Sequence, residues 1–597
     1  MKEKIIVIIL LTLMSSCGDY LEKPLLSNEI TQETIFSSRF YAEAFLAQTY
    51  RMILPWGFPY TDRKYKFEES RSMEDAMILA LEPHYTATSC VANNIHQAGF
   101  LPTERRFLND MFLTNFEGIR QAWIFVENVD KVPDIPAREK EQMKAECRTM
   151  IALNYVEMLK HYGGLPLVAE ALKGTSPSLT KIARASVDST INFILGLCDA
   201  SLNDLPDSYP SQWTGRITKG VALSVKADAL LFSASPMFNS ATPYLPFSNP
   251  ELICSGSYDH EKWKKASDAS KAVIDWCRAN GQDIIDTDNP FDDFGRAVSE
   301  HDNQEVILAY KGRYTSQDEI NRGFEKYYLP QYSGSFWGFC LLTNTLKYFY
   351  KADGTEQTWP QIGDPAEPYD DYLSKMDEME PRLQQTLWVF GQEPKNNPGH
   401  DRFKWDFDKN NGVPGDYLTG AGWMVKFLYK YKNEEMKEWI IYRTAEFYLN
   451  YAEALNEYDY AGNLSETLDY LNIIRNRAGI PEILASDPRA ASQEELRQLI
   501  RRERYVELFG EEHRSFDIRR WRIAHEPGEV GGTAYVFAFT QNAAKDGFTD
   551  FYVHAKEERF WADRMYLTPF PEASTTDETS YFQNEVAKGY LIQNPGY

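Results

Sequence analysis

The stretch IIYRTAEFYLNYAEALNE, residues 440–457, sets Ile441, Ala445, Tyr448, Ala452 and Leu455 three or four residues apart. That spacing gathers apolar side chains on one face of a helix. Next, ETLDYLNIIRNRAGIP (466–481) repeats it at Leu468, Leu471, Ile474 and Ala478 and closes on Gly479 and Pro481. Glycine accepts the left-handed cap and proline lacks the N–H a helix needs, so the two together read as a stop. Ser492 with Glu495 has the spacing of a capping box ahead of Leu496, Leu499, Ile500, Val506 and Phe509. Adjacent amphipathic helices with alanines at the contacts predict tetratricopeptide-like helical hairpins. The strict tetratricopeptide period is absent, so the expected scaffold is degenerate and not a regular solenoid.

Toward the N-terminus the same period recurs. Cys147, Ile151, Tyr155, Met158 and Tyr162 share a spacing that Gly163, Gly164 and Pro166 end. ITKGVALSVKADALLFSASP (217–236) is rich in small residues and stops at Pro236, and Ala266, Ala269, Val273 and Trp276 mark a third helix from Trp263 to Cys277. Between the helical blocks, residues 281–438 read differently: DTDNPFDDF, YLPQYSGSFWGF, KADGTEQTWP and PKNNPGHDRF follow no regular period. A second irregular zone, residues 55–110, holds PWGFPY, EPHYTATS and NNIHQAGF. Long aperiodic loops in a compact protein are functional or disordered, and their aromatic content argues against disorder.

Composition narrows the function. The 597 residues are 43% hydrophobic and 25% charged, enough for a large core. A net charge of -24 argues against nucleic acid and against basic attachment to anionic lipid, and it disfavours polyanionic ligands. Aromatic residues reach 14%, with 36 tyrosines, whose flat faces and polar tips suit cores and wet recognition surfaces alike. At the N-terminus, Lys2 and Lys4 precede an apolar run from Ile5 to Met14, then Ser15, Ser16 and Cys17. The run is half the ~20 residues a membrane span needs, so residues 1–16 are a secretory signal. Leu13-Met14-Ser15-Ser16-Cys17 resembles a bacterial lipobox, which makes Cys17 the lipidated mature N-terminus and residues 17–27 a tether. Acyl chains contribute about 0.8 kcal/mol per buried methylene, so the anchor holds the chain on the membrane without crossing it. The other six cysteines are scattered with no CxxC pair, which predicts small buried side chains and neither zinc nor a disulfide framework.

Six ordered segments resemble the SusD/RagB family: AECRTMIALNYVEMLKHYGGLPLV (145–168), TLKYFYKADGTEQ (345–357), MEPRLQQTL (379–387), RTAEFYLNYAEALNE (443–457) with LNIIRNRAGIP (471–481), IRRERYVELFGEEHRSFDIRRW (500–521), and the terminal YLTPFP and LIQNPGY. The resemblance implies a mainly α, SusD-like tetratricopeptide-type scaffold with few short strands and a large loop-rich insertion. Its parts are an N-terminal helical part (28–280), the insertion (281–438) and C-terminal helices and tail (439–597), with 28–597 one compact unit. It further implies a non-catalytic lipoprotein on the outer face of the outer membrane that captures glycan for a SusC-like TonB-dependent transporter, with no cofactor. Asp19 and Glu22 resemble the acidic signal that exports such lipoproteins to the surface. A peptide-binding member of the same fold and a surface glycoside hydrolase are the alternatives.

The family motifs are scaffold motifs, so ligand residues rest on this chain alone. YYLPQYSGSFWGF (327–339) holds Tyr327, Tyr328, Tyr332, Phe336, Trp337 and Phe339 among Ser333, Gly334, Ser335 and Gly338. Small neighbours leave ring faces open to the C–H face of a sugar, whereas core packing is the ordinary fate of such rings. Trp337, Phe336 and Tyr332 are the foremost candidates, Tyr327, Tyr328 and Phe339 the more core-like. Trp56, Tyr60 and Tyr85 add rings, and Asn93 and Asn94 add hydrogen-bonding groups, against a competing role in loop packing. The charged run Arg501–Arg522, with Glu503, Glu507, Glu511, Glu512 and Asp517, offers carboxylates, but its helical spacing favours ion pairs on a helix surface. Asp286, Asp288, Asp292 and Asp293, or Asp406, Asp408 and Asn410, depart from the EF-hand pattern and read as surface turns, not a metal site. No HExxH, GxSxG or phosphate-cradling glycine loop occurs.

Overall fold

The computed structural model describes residues 31–54, 83–85, 99, 112, 115–172, 182–311, 339–400, 420–430, 438–570 and 591–597. The helical half is a relay in which each helix packs on the next: α1 (Arg39–Ile53), α2 (Asn115–Asn128), α3 (Ala137–Tyr162), α4 (Val187–Asp199), α5 (Lys219–Ala234), α6 (Glu261–Ala279), α10 (Thr444–Arg477) and α11 (Gln493–Glu507). The predicted stripe of α3 is buried, but so are Ala145, Leu153 and Val156 on its other sides, because α1, α2, α4 and α5 surround it. Gly163 ends α3 with φ +76 and donates to the Leu159 carbonyl (3.0 Å), a conformation that side chains resist. Pro236 stops α5 as expected by forcing Ser235 into an extended conformation. Ser492 caps α11, its hydroxyl accepting from Glu495 N (3.3 Å).

Two features of the late helices differ from the sequence expectation. Residues 444–477 run as one element broken at Asp459, whose φ/ψ of -155/85 is not helical. Ile441, counted in the helical stripe, belongs to strand β7 (Trp439–Arg443), which pairs with β2 (Val306–Tyr310). Alternation and helical period both tolerate an apolar residue at a boundary, which is why it misreads.

The other half has an aromatic core. Within 281–438 the described residues form α7 (Pro290–Ser299), α8 (Tyr369–Asp377), α9 (Pro381–Thr386) and three strands that β1 (Pro83–Tyr85) joins in a four-stranded sheet of order β1-β3-β6-β5: β3 Phe339–Leu341, β6 Trp423–Met424, β5 Leu387–Trp388. A second sheet orders β4 (Glu367–Pro368), β9 (Phe548–Arg559) and β8 (Gly532–Gln541). The β8–β9 hairpin was not read from the sequence. Its inner face sets Phe537, Phe539 and Phe551 against Tyr372, with ring centroids 5.0–6.0 Å apart. Trp388, Trp423 and Phe390 continue this core, at 5.0 Å spacing. Much of the aromatic excess is thus structural, each such ring burying on the order of 150–250 Å².

The charged run 501–522 corrects the expectation of a helix surface, since its acids are interior. Glu503 and Glu507 of α11 and Glu511 beyond it meet Arg382, Lys426, Arg443, Arg475 and Arg477, joined by Glu305 and Glu380, all 9% exposed or less. Arg382 contacts Glu380 and Glu503 at 2.6 Å. Arg443 reaches Glu507 and Glu511, both at 2.7 Å, and Arg477 reaches Glu305 at 2.8 Å and also pairs with Glu507. Helical spacing shows that acids and arginines share a face but not what covers that face, and here α9, β7, α10 and the turn after β6 supply the missing cations. Burial alone would raise Glu511, yet Arg443 and Lys426 outweigh it and hold the carboxyl at about 2. Of the acidic turn, Asp286 and Asp288 are exposed, but Asp293 is buried and accepts from Thr287 N (2.6 Å) and Thr287 Oγ1 (2.7 Å) at the start of α7. Asp406, Asp408 and Asn410 lie outside the described residues. Among the described residues no group of His, Cys, Asp or Glu is arranged to hold a metal, and no helix is long and apolar enough to cross a membrane. Cys147, Cys198, Cys254, Cys277 and Cys340 are free and buried, as their scatter predicts.

Candidate functional site

A cavity of about 530 Å³ opens between the C-terminal half of α1, the turn 212–216 and the end of β2, a volume within the roughly 300–1,000 Å³ of ligand clefts. Leu46, Ala47 and Tyr50 line it from α1 with Leu54 just beyond, Gln212, Trp213 and Gly215 from the turn, and Tyr310 from β2 with Lys311 just past it. Trp213 is 43% exposed, a large ring held at the surface.

What holds that ring is a buried carboxylate. Glu146, from the interior of α3, is 0% exposed. It accepts from Tyr50 OH (2.5 Å), Tyr209 OH (2.8 Å), Arg216 Nε (3.0 Å) and Arg216 Nη2 (2.5 Å). Such forked, charge-assisted bonds fix the guanidinium plane. The plane lies 4.8 Å from the Tyr209 ring and 5.3 Å from the Trp213 ring, so Arg216 stacks beside both. Burial would lower Arg216, but Glu146 raises it further, and burial followed by the Glu146 charge pushes the Tyr50 and Tyr209 hydroxyls well up. All three remain donors at any physiological pH. At the turn, Gly215 takes φ +96, and a Cβ there would meet Lys311 Cδ at 3.2 Å. Glycine therefore lets the turn close over the end of β2.

Trp337, Phe336, Tyr332, Trp56, Tyr60, Asn93 and Asn94 lie outside the described residues, as do Tyr327, Tyr328, Cys17, Asp19 and Glu22. Leu54 and Lys311, both lining residues, are the last described before 55–82 and 312–338. Both irregular zones return as strands: Tyr85 of β1 pairs with Phe339 of β3 in antiparallel register. The backbone therefore brings the two nominated zones side by side. Tyr50, Trp213, Arg216 and Tyr310 went unread. SQWTG (211–215) surrounds a tryptophan with small and polar residues just as YSGSFWG does, and that signal was available. The turn lies between α4 and α5, where helical periodicity dominates the pattern.

Two carboxylates of the run 501–522, Glu503 and Glu507, are closed to ligand. Glycoside hydrolysis needs two carboxyls facing a bound sugar, whereas Glu503 and Glu507 are at most 1% exposed and held by arginines.

Residues 304–597 match the SusD family. No curated protein sequence matches the chain. Among solved structures it is similar to a SusD-like protein from Bacteroides fragilis NCTC 9343, at 22% identity and TM-score 0.72 over 95% of this chain and 99% of that one. It is also similar to a SusD-like carbohydrate binding protein from the same organism (18%, TM-score 0.64, 94% and 99%) and to a laminarin binding SusD-like protein (17%, TM-score 0.58, 94% and 100%). At these identities the likeness is one of fold.

Proposed function

The chain belongs to the SusD family through residues 304–597, and from that premise we propose that it is a lipid-anchored, non-catalytic binding protein. It sits at the outer-membrane surface, captures oligosaccharide or polysaccharide and delivers it to a SusC-like TonB-dependent transporter. Trp337, Phe336 and Tyr332 provide stacking faces in this reading, with Trp56, Tyr60 and Tyr85 as further rings and Asn93 and Asn94 as partners for hydroxyls. The observation that carries it is the Tyr85–Phe339 pairing, which joins the two aromatic zones that the sequence nominates independently. The Trp213 cavity, whose lining includes Leu54 and Lys311, supports it, as do the carbohydrate binding and laminarin binding proteins of like fold. Shallow aromatic contacts give modest affinity and fast release, which suits transfer, and the anchor at Cys17 raises the effective concentration beside the transporter.

The test is migration of the lipid-free chain through native gels containing neutral polysaccharides, laminarin among them. Retardation is expected for the wild type and its loss for the combined Trp337→Ala, Phe336→Ala and Tyr332→Ala variant, with an unchanged far-UV spectrum. A variant retarded like the wild type would remove those rings from the site.

A further inference from the structure

Resting on that reading, we infer that the Trp213 cavity takes uncharged saccharides and rejects uronates and sulfated sugars. Its lining contains four charged residues, Glu43, Arg51, Arg216 and Lys311, and each is already engaged. Glu43 is held by Arg39 at 3.0 Å, and Arg39 also binds Glu139 at 2.7 Å. Arg216 spends its fork on Glu146, and Lys311 is shared between Glu438 (3.1 Å) and Asp302. Arg51 is engaged as well. The lining itself holds three cations and one carboxylate, but with these partners counted five carboxylates stand against four cations among the described residues, on a chain whose net charge is -24.

Anionic sugars are recognised by arginine forks or amide nests that have charge to give. Of the two arginines that line the cavity, Arg216 is committed to a fully buried carboxylate and Arg51 is engaged as well. Drawing Arg216 toward a sulfate would strand Glu146 in the interior, the kind of loss that makes breaking a buried pair expensive. The surrounding field opposes approach of an anion before any contact forms. A neutral sugar meets neither obstacle. Its C–H face can lie on the exposed face of Trp213, and the exposed Gln212 amide offers both donors and an acceptor for hydroxyls. Charge is thus the specificity filter of this cavity, while ring geometry and hydroxyl pattern select among neutral sugars.

The experiment is isothermal titration of the lipid-free chain with a panel of neutral oligosaccharides, each paired with its C6-oxidised uronate and its sulfated form. The tightest ligands are expected to be neutral, with each charged counterpart weaker by at least about tenfold. Affinity should change less than about twofold between roughly 50 and 500 mM salt, because screening has no ion pair to weaken. Trp213→Ala should abolish neutral binding and Trp213→Phe should restore part of it. A charged member binding best, with affinity falling as salt rises, overturns the inference but leaves saccharide capture standing. Neutral binding unmoved by Trp213→Ala overturns it too, by placing the selective site elsewhere. Binding of no member at all sinks saccharide capture and this inference together.

Discussion

Glu146 receives four hydrogen bonds from three residues 63 to 96 positions away in the chain, while itself wholly buried. Removing it leaves the Arg216 guanidinium and two hydroxyls without an acceptor, so Glu146→Ala is expected to cost about 3–5 kcal/mol. Glu146→Gln keeps one acceptor oxygen and should cost less. Urea unfolding monitored by tryptophan fluorescence measures both, and equal stability of all three proteins would show that the stack stands without its carboxylate. Little of this was legible in the sequence. An acid on the face of an apolar helix says only that a partner exists, and the partners come from α1 and from residues 209–216. Trp213, by contrast, was readable in SQWTG by the rule that singled out Trp337.

The interior ion network is a property of elements, since α11 contributes Glu503 and Glu507 while α9, β7 and α10 contribute the cations. It fastens the aromatic half of the molecule to the helical half. Glu507→Ala is expected to lower stability by about 3–5 kcal/mol, more than an exposed pair such as Lys264–Asp268, worth at most ~1 kcal/mol. The pH dependence follows from the same pairs. In the folded chain Glu511 and Asp517 sit at about 2, where burial is outweighed by Arg443 for the first and Arg504 for the second. Their unfolded values are ~4, so the unfolded chain binds more protons between those limits and stability falls with pH there. Through these two carboxyls the thermal midpoint should drop steeply as pH falls from about 5 toward 2; a midpoint flat from pH 5 to 3 would contradict the network. Element existence was legible wherever a helix showed one apolar face and a stop signal, as in 466–481. The break at Asp459 and the β8–β9 hairpin were not, because β8 buries Ala534 and Val536 as well as Phe537, so its burial follows no one-sided alternation.

Across the whole molecule, the ordered motifs from 145 to 597 made the scaffold legible, while the candidate ligand loops announced themselves only by composition, since a binding loop has no periodicity to read. If Cys17 carries the anchor, Cys17→Ala should move the protein from the membrane fraction to the soluble fraction and abolish labelling by radioactive palmitate; retention of both would place the anchor elsewhere. The central claim is reversible capture of neutral saccharide without cleavage. Equilibrium dialysis of the lipid-free chain against a neutral oligosaccharide from the panel, with the chain length of the recovered sugar determined, tests it most directly. The account predicts enrichment on the protein side that saturates, with all sugar recovered at its original length. No enrichment with any neutral oligosaccharide, or recovery of shortened chains with new reducing ends, would contradict it.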